Sequence, residues 1–161
     1  MLLNGHIRAL LAVTVVFVVA MGSARVGKQG DDGSAADAIG ALRAIHSAQQ
    51  SFASVCAAGG YAASLNGLVT APSGSSTGFL SPDFPVSTTG YAVLLEPGSD
   101  ARPPETASCN GAEVVSTYFV HAEPHAGVSG ASFAMHDHSG IYMRRDGRPI
   151  GPGLDGAELL P

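Results

Sequence analysis

Ser34–Tyr61 reads SAADAIGALRAIHSAQQSFASVCAAGGY. Ala35, Ala38, Ile39, Leu42, Ile45, Phe52 and Cys56 recur at steps of three and four residues, the spacing that lines up one face of an α-helix. Arg43, Ser47, Gln50, Ser51 and Ser54 fall mainly off that face. Ser34 followed by Asp37 resembles a capping box, and Asp31, Asp32 and Asp37 suit the positive end of the helix dipole. Abundant alanine raises helix propensity, and Gly59-Gly60 supplies a stop. The stretch therefore predicts one long amphipathic helix that opens at Ser34.

Upstream, Ala9–Met21 (ALLAVTVVFVVAM) is an uncharged apolar run behind a weakly basic start at His6 and Arg8. It is shorter than the roughly 20 residues of a full membrane span and is followed by small Gly22, Ser23 and Ala24. Residues 1–24 therefore read either as a signal peptide cut after Ala24 or as a retained anchor with the head outside the cytoplasm. Either reading makes the chain exported, to the cell envelope, periplasm or outer side of an inner membrane, with the membrane as a partner. Residues 25–33 (RVGKQGDDG) hold three glycines and read as a flexible linker. Export bears on the two cysteines, Cys56 and Cys109, because an even count in an oxidising compartment argues for a disulfide. Only one pairing is possible; the alternative is two free buried thiols.

Downstream, 70–89 is rich in Pro, Ser, Gly and Thr and reads as a long loop carrying Phe79, Leu80 and Phe84. Gly90–Glu96 (GYAVLLE) and Glu113–Ala122 (EVVSTYFVHA) are strand candidates by their β-branched and aromatic content. Ser132–His136 and Ile141–Arg145 flank Asp137-His138-Ser139-Gly140 and read as a hairpin. The expected fold is thus α+β, with a long N-terminal amphipathic helix packed on a small antiparallel sheet of three to four strands. One domain spans 34–146, and Gly147–Pro161, with Gly and Pro at close intervals, is expected to be an extended tail.

Composition limits the function. The net charge is −5, with a single lysine, Lys28, so the chain lacks the basic footprint of a nucleic-acid binder. Arg144, Arg145 and Arg148 are its one basic cluster; they could meet an acidic partner, though charges on an edge strand also discourage strand pairing. His136 and His138 would share one face of an extended strand, and His121 could approach them, with His125 nearby, as zinc or copper ligands do. Surface histidines at strand ends are the plainer reading. Asp137, His138 and Ser139 are adjacent in a tight turn and cannot adopt triad geometry. His46 lies beside the apolar stripe and reads as a packed or rim residue, and solvation is the default for Asp83 and Glu96. No catalytic, cofactor-binding or metal-binding residue is assigned, and no cofactor is implied.

The ordered series AIGALRAIHSAQQSFASVCAAGGYAASLNGL, FLSPDF, GYAVLLEP, CNG, TYFVHAEP and SFAMHDHSGIY resembles the globular region of type IV pilin-like and pseudopilin-like proteins. The resemblance covers Ala35–Tyr142 and is densest at Ala38–Gln49, Gly59–Ala62 and Phe133–Tyr142. It implies a long helix on an antiparallel sheet and a non-enzymatic role as a subunit or accessory of a pilus or of a type II secretion-like system, with other such subunits as partners. The start of the chain differs from the family's Gly-Phe-Thr-Leu-Ile-Glu-like processing site: His6 follows Gly5, and the Glu position falls on Leu10. A secreted or membrane-anchored binding module that does not polymerise is the second reading.

Overall fold

The computed structural model describes residues 30–85, 87–88, 90–102, 107–138 and 140–161. The apolar run Ala9–Met21, and with it the signal or anchor reading, lies outside the described residues. No described helix is long and apolar enough to cross a membrane.

Helix α1 spans Gly30–Val55. It begins before Ser34, so Gly30–Gly33, expected in the linker, are helical, and Ser34 is a buried residue inside the helix rather than its cap. The apolar stripe is where its spacing puts it. Ala38, Leu42, Ile45, Phe52 and Cys56 are buried, while Arg43, Ser47, Gln50, Ser51 and Ser54 are exposed. After Val55, Ala58 and Gly59 take positive φ of 48° and 96°, and the Gly59 amide bonds back to the Ala53 carbonyl at 2.8 Å. That six-residue return is the Schellman closure that glycine favours.

The expected small sheet of three to four strands under a single helix is overturned. The described residues form two helices and two sheets. A six-stranded antiparallel sheet runs in the order β2 (Ser87–Thr88), β3 (Tyr91–Pro97), β5 (Tyr118–Pro124), β6 (Ser132–His136), β7 (Tyr142–Arg144), β8 (Glu158–Leu159). A separate two-stranded ribbon pairs β1 (Tyr61–Ala62) with β4 (Val114–Val115). Helix α2 (Leu65–Val69) follows β1. The run Glu113–Ala122, which reads as one strand, is therefore divided between two sheets: Val114 and Val115 pair with Ala62 and Tyr61, and Tyr118–Pro124 crosses β3. Both pieces carry the same β-branched, aromatic pattern, so composition alone does not show the break. The hairpin does form as its pattern suggests, with Ser132 opposite Arg144 and Ala134 opposite Tyr142.

Alternation in β3, β5 and β6 sends Tyr91, Val93, Leu95, Tyr118, Val120, Ala122, Phe133 and Met135 to the face under α1, where they join Leu42, Ile45 and Phe52 in the main core. Burying each of the large helix side chains is worth about 1.5–3 kcal/mol. The opposite, outer face is covered in part, while Leu94 and Glu96 on β3 stay exposed. Phe119 and Ala134 are covered by Ile150, with Leu154 and Ala157 packed against them. The C-terminal segment, expected as an extended tail, thus folds back over the sheet and ends in β8, paired to β7.

The Cys56–Cys109 disulfide joins the end of α1 to the loop before β4, across a sequence separation of 53. The Cys109 amide also bonds to the Cys56 carbonyl at 2.9 Å. Closing a loop of this length contributes about 2–4 kcal/mol, chiefly by restricting the unfolded chain.

Candidate functional site

A groove of about 460 Å³ lies beside the N-terminal half of α1. One wall is the helix itself, with Ala36, Asp37, Gly40, Ala41 and Ala44; the other is Phe84, Pro85 and Ser87. The helix wall exists because the stripe leaves short side chains on the flank of α1 away from the core. Phe84 is only partly buried, and Pro85 and Ser87 are exposed. At the rim, Ser87 Oγ and His125 Nε2 lie 3.0 Å apart. A serine and a histidine at that distance could begin a nucleophile–base pair. Both are exposed, however, and among the described residues no carboxylate bonds the other nitrogen of His125 to orient it. The groove is lined chiefly by apolar side chains and backbone, with Asp37 and Ser87 as its polar side chains.

The other described histidines each have partners within the chain. His121 on β5 is buried; its Nδ1 is 2.9 Å from Glu123, its Nε2 is 3.9 Å from Glu96, and its ring stacks on Phe119. The ring of His136 also neighbours Phe119, with centroids 5.2 Å apart. His138 sits in the turn, almost wholly exposed, with Nε2 3.1 Å from Asp137 Oδ2. His125 is at the groove rim. Among the described residues no group of three or more His, Cys, Asp or Glu side chains could hold a metal ion. Ser139 lies outside the described residues.

Arg144, Arg145 and Arg148 are engaged within the chain. Arg144 Nε donates to Asp146 at 2.8 Å, and its guanidinium also reaches the carbonyls of Pro149 and Asp155, tying the C-terminal segment to β7. Arg145 pairs with Glu158 at 3.7 Å and Arg148 with Asp146 at 3.5 Å. The backbone N–H of Arg148, then the Arg144 side chain and the two nearby positive charges, hold the Asp146 carboxyl below its usual value.

Three polar side chains escape a reading by composition. Gln49, fully buried on α1, makes two 2.8 Å bonds to the backbone N–H and C=O of Ala62, acting as an extra strand partner for β1. Asn110 donates to the carbonyls of Gly67 and Thr70 at 2.9 and 2.8 Å, closing the end of α2. The Tyr118 hydroxyl is 2.6 Å from His46 Nδ1. Burial, then the charges of Tyr61 and Asp137, hold the Tyr118 phenol far above its usual value. It stays protonated and serves as a hydrogen-bonding strut between sheet and helix, not as a base. Only the tertiary partner reveals these roles, since a glutamine or tyrosine in a mixed pattern carries no signal of its own.

No known protein family, no curated protein and no solved structure matches the chain.

Proposed function

We propose that the chain is a non-enzymatic exported domain with a structural or assembly role at the cell envelope, in a type IV pilus or type II secretion-like system. The observation that carries the reading is the Cys56–Cys109 disulfide, which suits an oxidising compartment outside the cytoplasm. The apolar N-terminal run and the residue series that resembles pilin-like proteins support it. Tyr118 and Gln49 are spent on internal struts, and the groove beside α1 has apolar walls. The role does not rest on the small pilin-like sheet, which the structure replaces.

The second reading, a secreted or anchored binding module, draws on a different observation. The sheet has six strands among the described residues, and part of its outer face is already covered by the chain's own C-terminal segment. That leaves the groove beside α1 as an open surface.

Fractionation of expressing cells, with thiol trapping and sequencing of the mature N-terminus, tests both. The envelope reading expects an envelope fraction with Cys56 and Cys109 oxidised; a reduced cytosolic protein overturns it. A cut after Gly5 supports entry into an assembly, and a cut near Ala24 supports the soluble module.

A further inference from the structure

We infer that His121 and Glu96, on the part of the outer face that the C-terminal segment leaves uncovered, bind a divalent zinc-like ion, with Glu123 fixing the imidazole. The inference stands on this cluster and does not depend on the envelope reading.

Alternation along β3 and β5 brings the three groups to one face. Glu96 lies opposite Phe119, and Leu94 lies opposite His121. Glu96, His121 and Glu123 therefore point away from the core under α1. The His121 side chain is 10% exposed, and that of Glu96 is 53% exposed. His121 Nδ1 is 2.9 Å from Glu123 Oε1, and the ring stacks on Phe119 with centroids 5.1 Å apart. An ionised carboxylate only accepts, so Nδ1 carries the proton and donates. Nε2 is then the lone-pair nitrogen of the neutral ring. It is buried and has no hydrogen-bond partner among the described residues. A buried acceptor left without a partner is costly, and a bound cation removes that cost.

The spacing suits such a cation. Glu96 Oε2 stands 3.9 Å from His121 Nε2, too far for a hydrogen bond. One zinc–nitrogen bond and one zinc–oxygen bond together span about 4.1 Å when in line, and less at a tetrahedral angle. An ion fits between the two atoms, and the half-exposed Glu96 is free to swing inward and close the angle. The way in runs past its carboxylate, which lies at the surface. A histidine that ligates a metal through one nitrogen characteristically donates its other N–H to a carboxylate, the arrangement that Glu123 supplies. Among the described residues no arginine or lysine pairs with Glu96 or Glu123, so their charge is open to a cation. The chain gives two ligands, fewer than the three or four of a complete protein site, and water takes the other positions.

The test titrates the full chain with zinc chloride, following heat and the ring nitrogens of the histidines by NMR. One saturable site is expected, with the largest shift at His121 Nε2. Glu96→Gln, at an exposed position that leaves folding intact, is expected to weaken binding by at least about tenfold, and so is His121→Gln. Glu123→Gln removes no ligand and is expected to weaken it by about tenfold through the lost hold on the ring. His138→Gln, in the exposed turn, should stay within about threefold of the parent. No saturable binding up to about 1 mM zinc overturns the inference. So does a site that survives Glu96→Gln unchanged, or one that disappears in His138→Gln, because the ion would then sit elsewhere.

Discussion

The two faces of the six-stranded sheet are covered by opposite means. On the inner face a regular 26-residue helix lays a continuous apolar stripe over three long strands, and the disulfide fixes its far end. On the outer face an irregular C-terminal segment places one fully buried side chain, Ile150, over Phe119 and Ala134, and is held by Arg144 contacts and a two-residue strand. The contrast teaches that cooperative stability belongs to the inner face. The outer cover, with few buried apolar contacts and mostly exposed polar ties, belongs to the class of segments that open locally.

The strongest way to break that contrast is Leu42→Asp. A charge placed among fully buried apolar groups cannot be solvated, and the variant is expected not to fold cooperatively. A soluble variant with a sharp melting transition would remove the inner face from its privileged place. Next is Cys56→Ser, expected to cost about 2–4 kcal/mol and to lower the melting temperature under oxidising conditions. An unchanged transition would mean that the bond adds nothing to the inner layer.

Ile150→Ala sharpens the comparison. The expected loss is about 2 kcal/mol, the low end for such a truncation, because the irregular cover can settle. Hydrogen exchange should quicken at the Leu154, Ala157 and Leu160 amides while the α1 amides keep their protection. Uniform loss of protection would show that the two covers unfold as one.

Two smaller effects depend on pH. The Tyr118 phenol is raised in the folded state, so the unfolded chain loses its proton first on alkalinisation. Its contribution to stability is fully present below the ordinary tyrosine value of 10.0 and is lost as the pH rises past it. Tyr118→Phe should delay alkaline unfolding while loosening the strut to His46 at neutral pH, by about 1 kcal/mol. If the alkaline limb is the same in both proteins, the strut is not titrating. Asp146 shows the reverse sign: its carboxyl is lowered, so its contribution is present above the ordinary value of 3.8 and is lost as the pH falls through the lower folded value. This group is solvent-exposed, so the effect should be slight, visible as a low-pH chemical shift change in the Arg144–Arg148 turn and absent in Asp146→Asn.

The residues explain which parts were legible. Leu42, Ile45 and Phe52 announce themselves because a helix repeats every 3.6 residues and one side of it must be buried. The Ser132–Arg144 hairpin follows from local alternation around a turn. Cys56 and Cys109 follow from counting. The width of the sheet does not, because β2 and β8 have two residues each, too short for any period to register. The break after Val115 does not, because the strand pattern is the same on both sides of it. Of the candidate site, the exposed short side chains on α1 can be read from the helix wheel. The opposing wall at Phe84 and Pro85 belongs to a loop whose path carries no periodic signal.

The sequence by itself determined the amphipathic helix, the strands of the hairpin, the single possible disulfide and the acidic net charge. Each is a property of neighbouring residues or of composition. The tertiary structure alone decided that the C-terminal segment returns over the outer face, that Gln49 completes β1, that Tyr118 braces His46, and that His121 and His136 both pack on Phe119. Those outcomes depend on which distant groups meet, and long-range contact is settled by packing and hydrogen-bond satisfaction across the whole chain rather than by any local pattern.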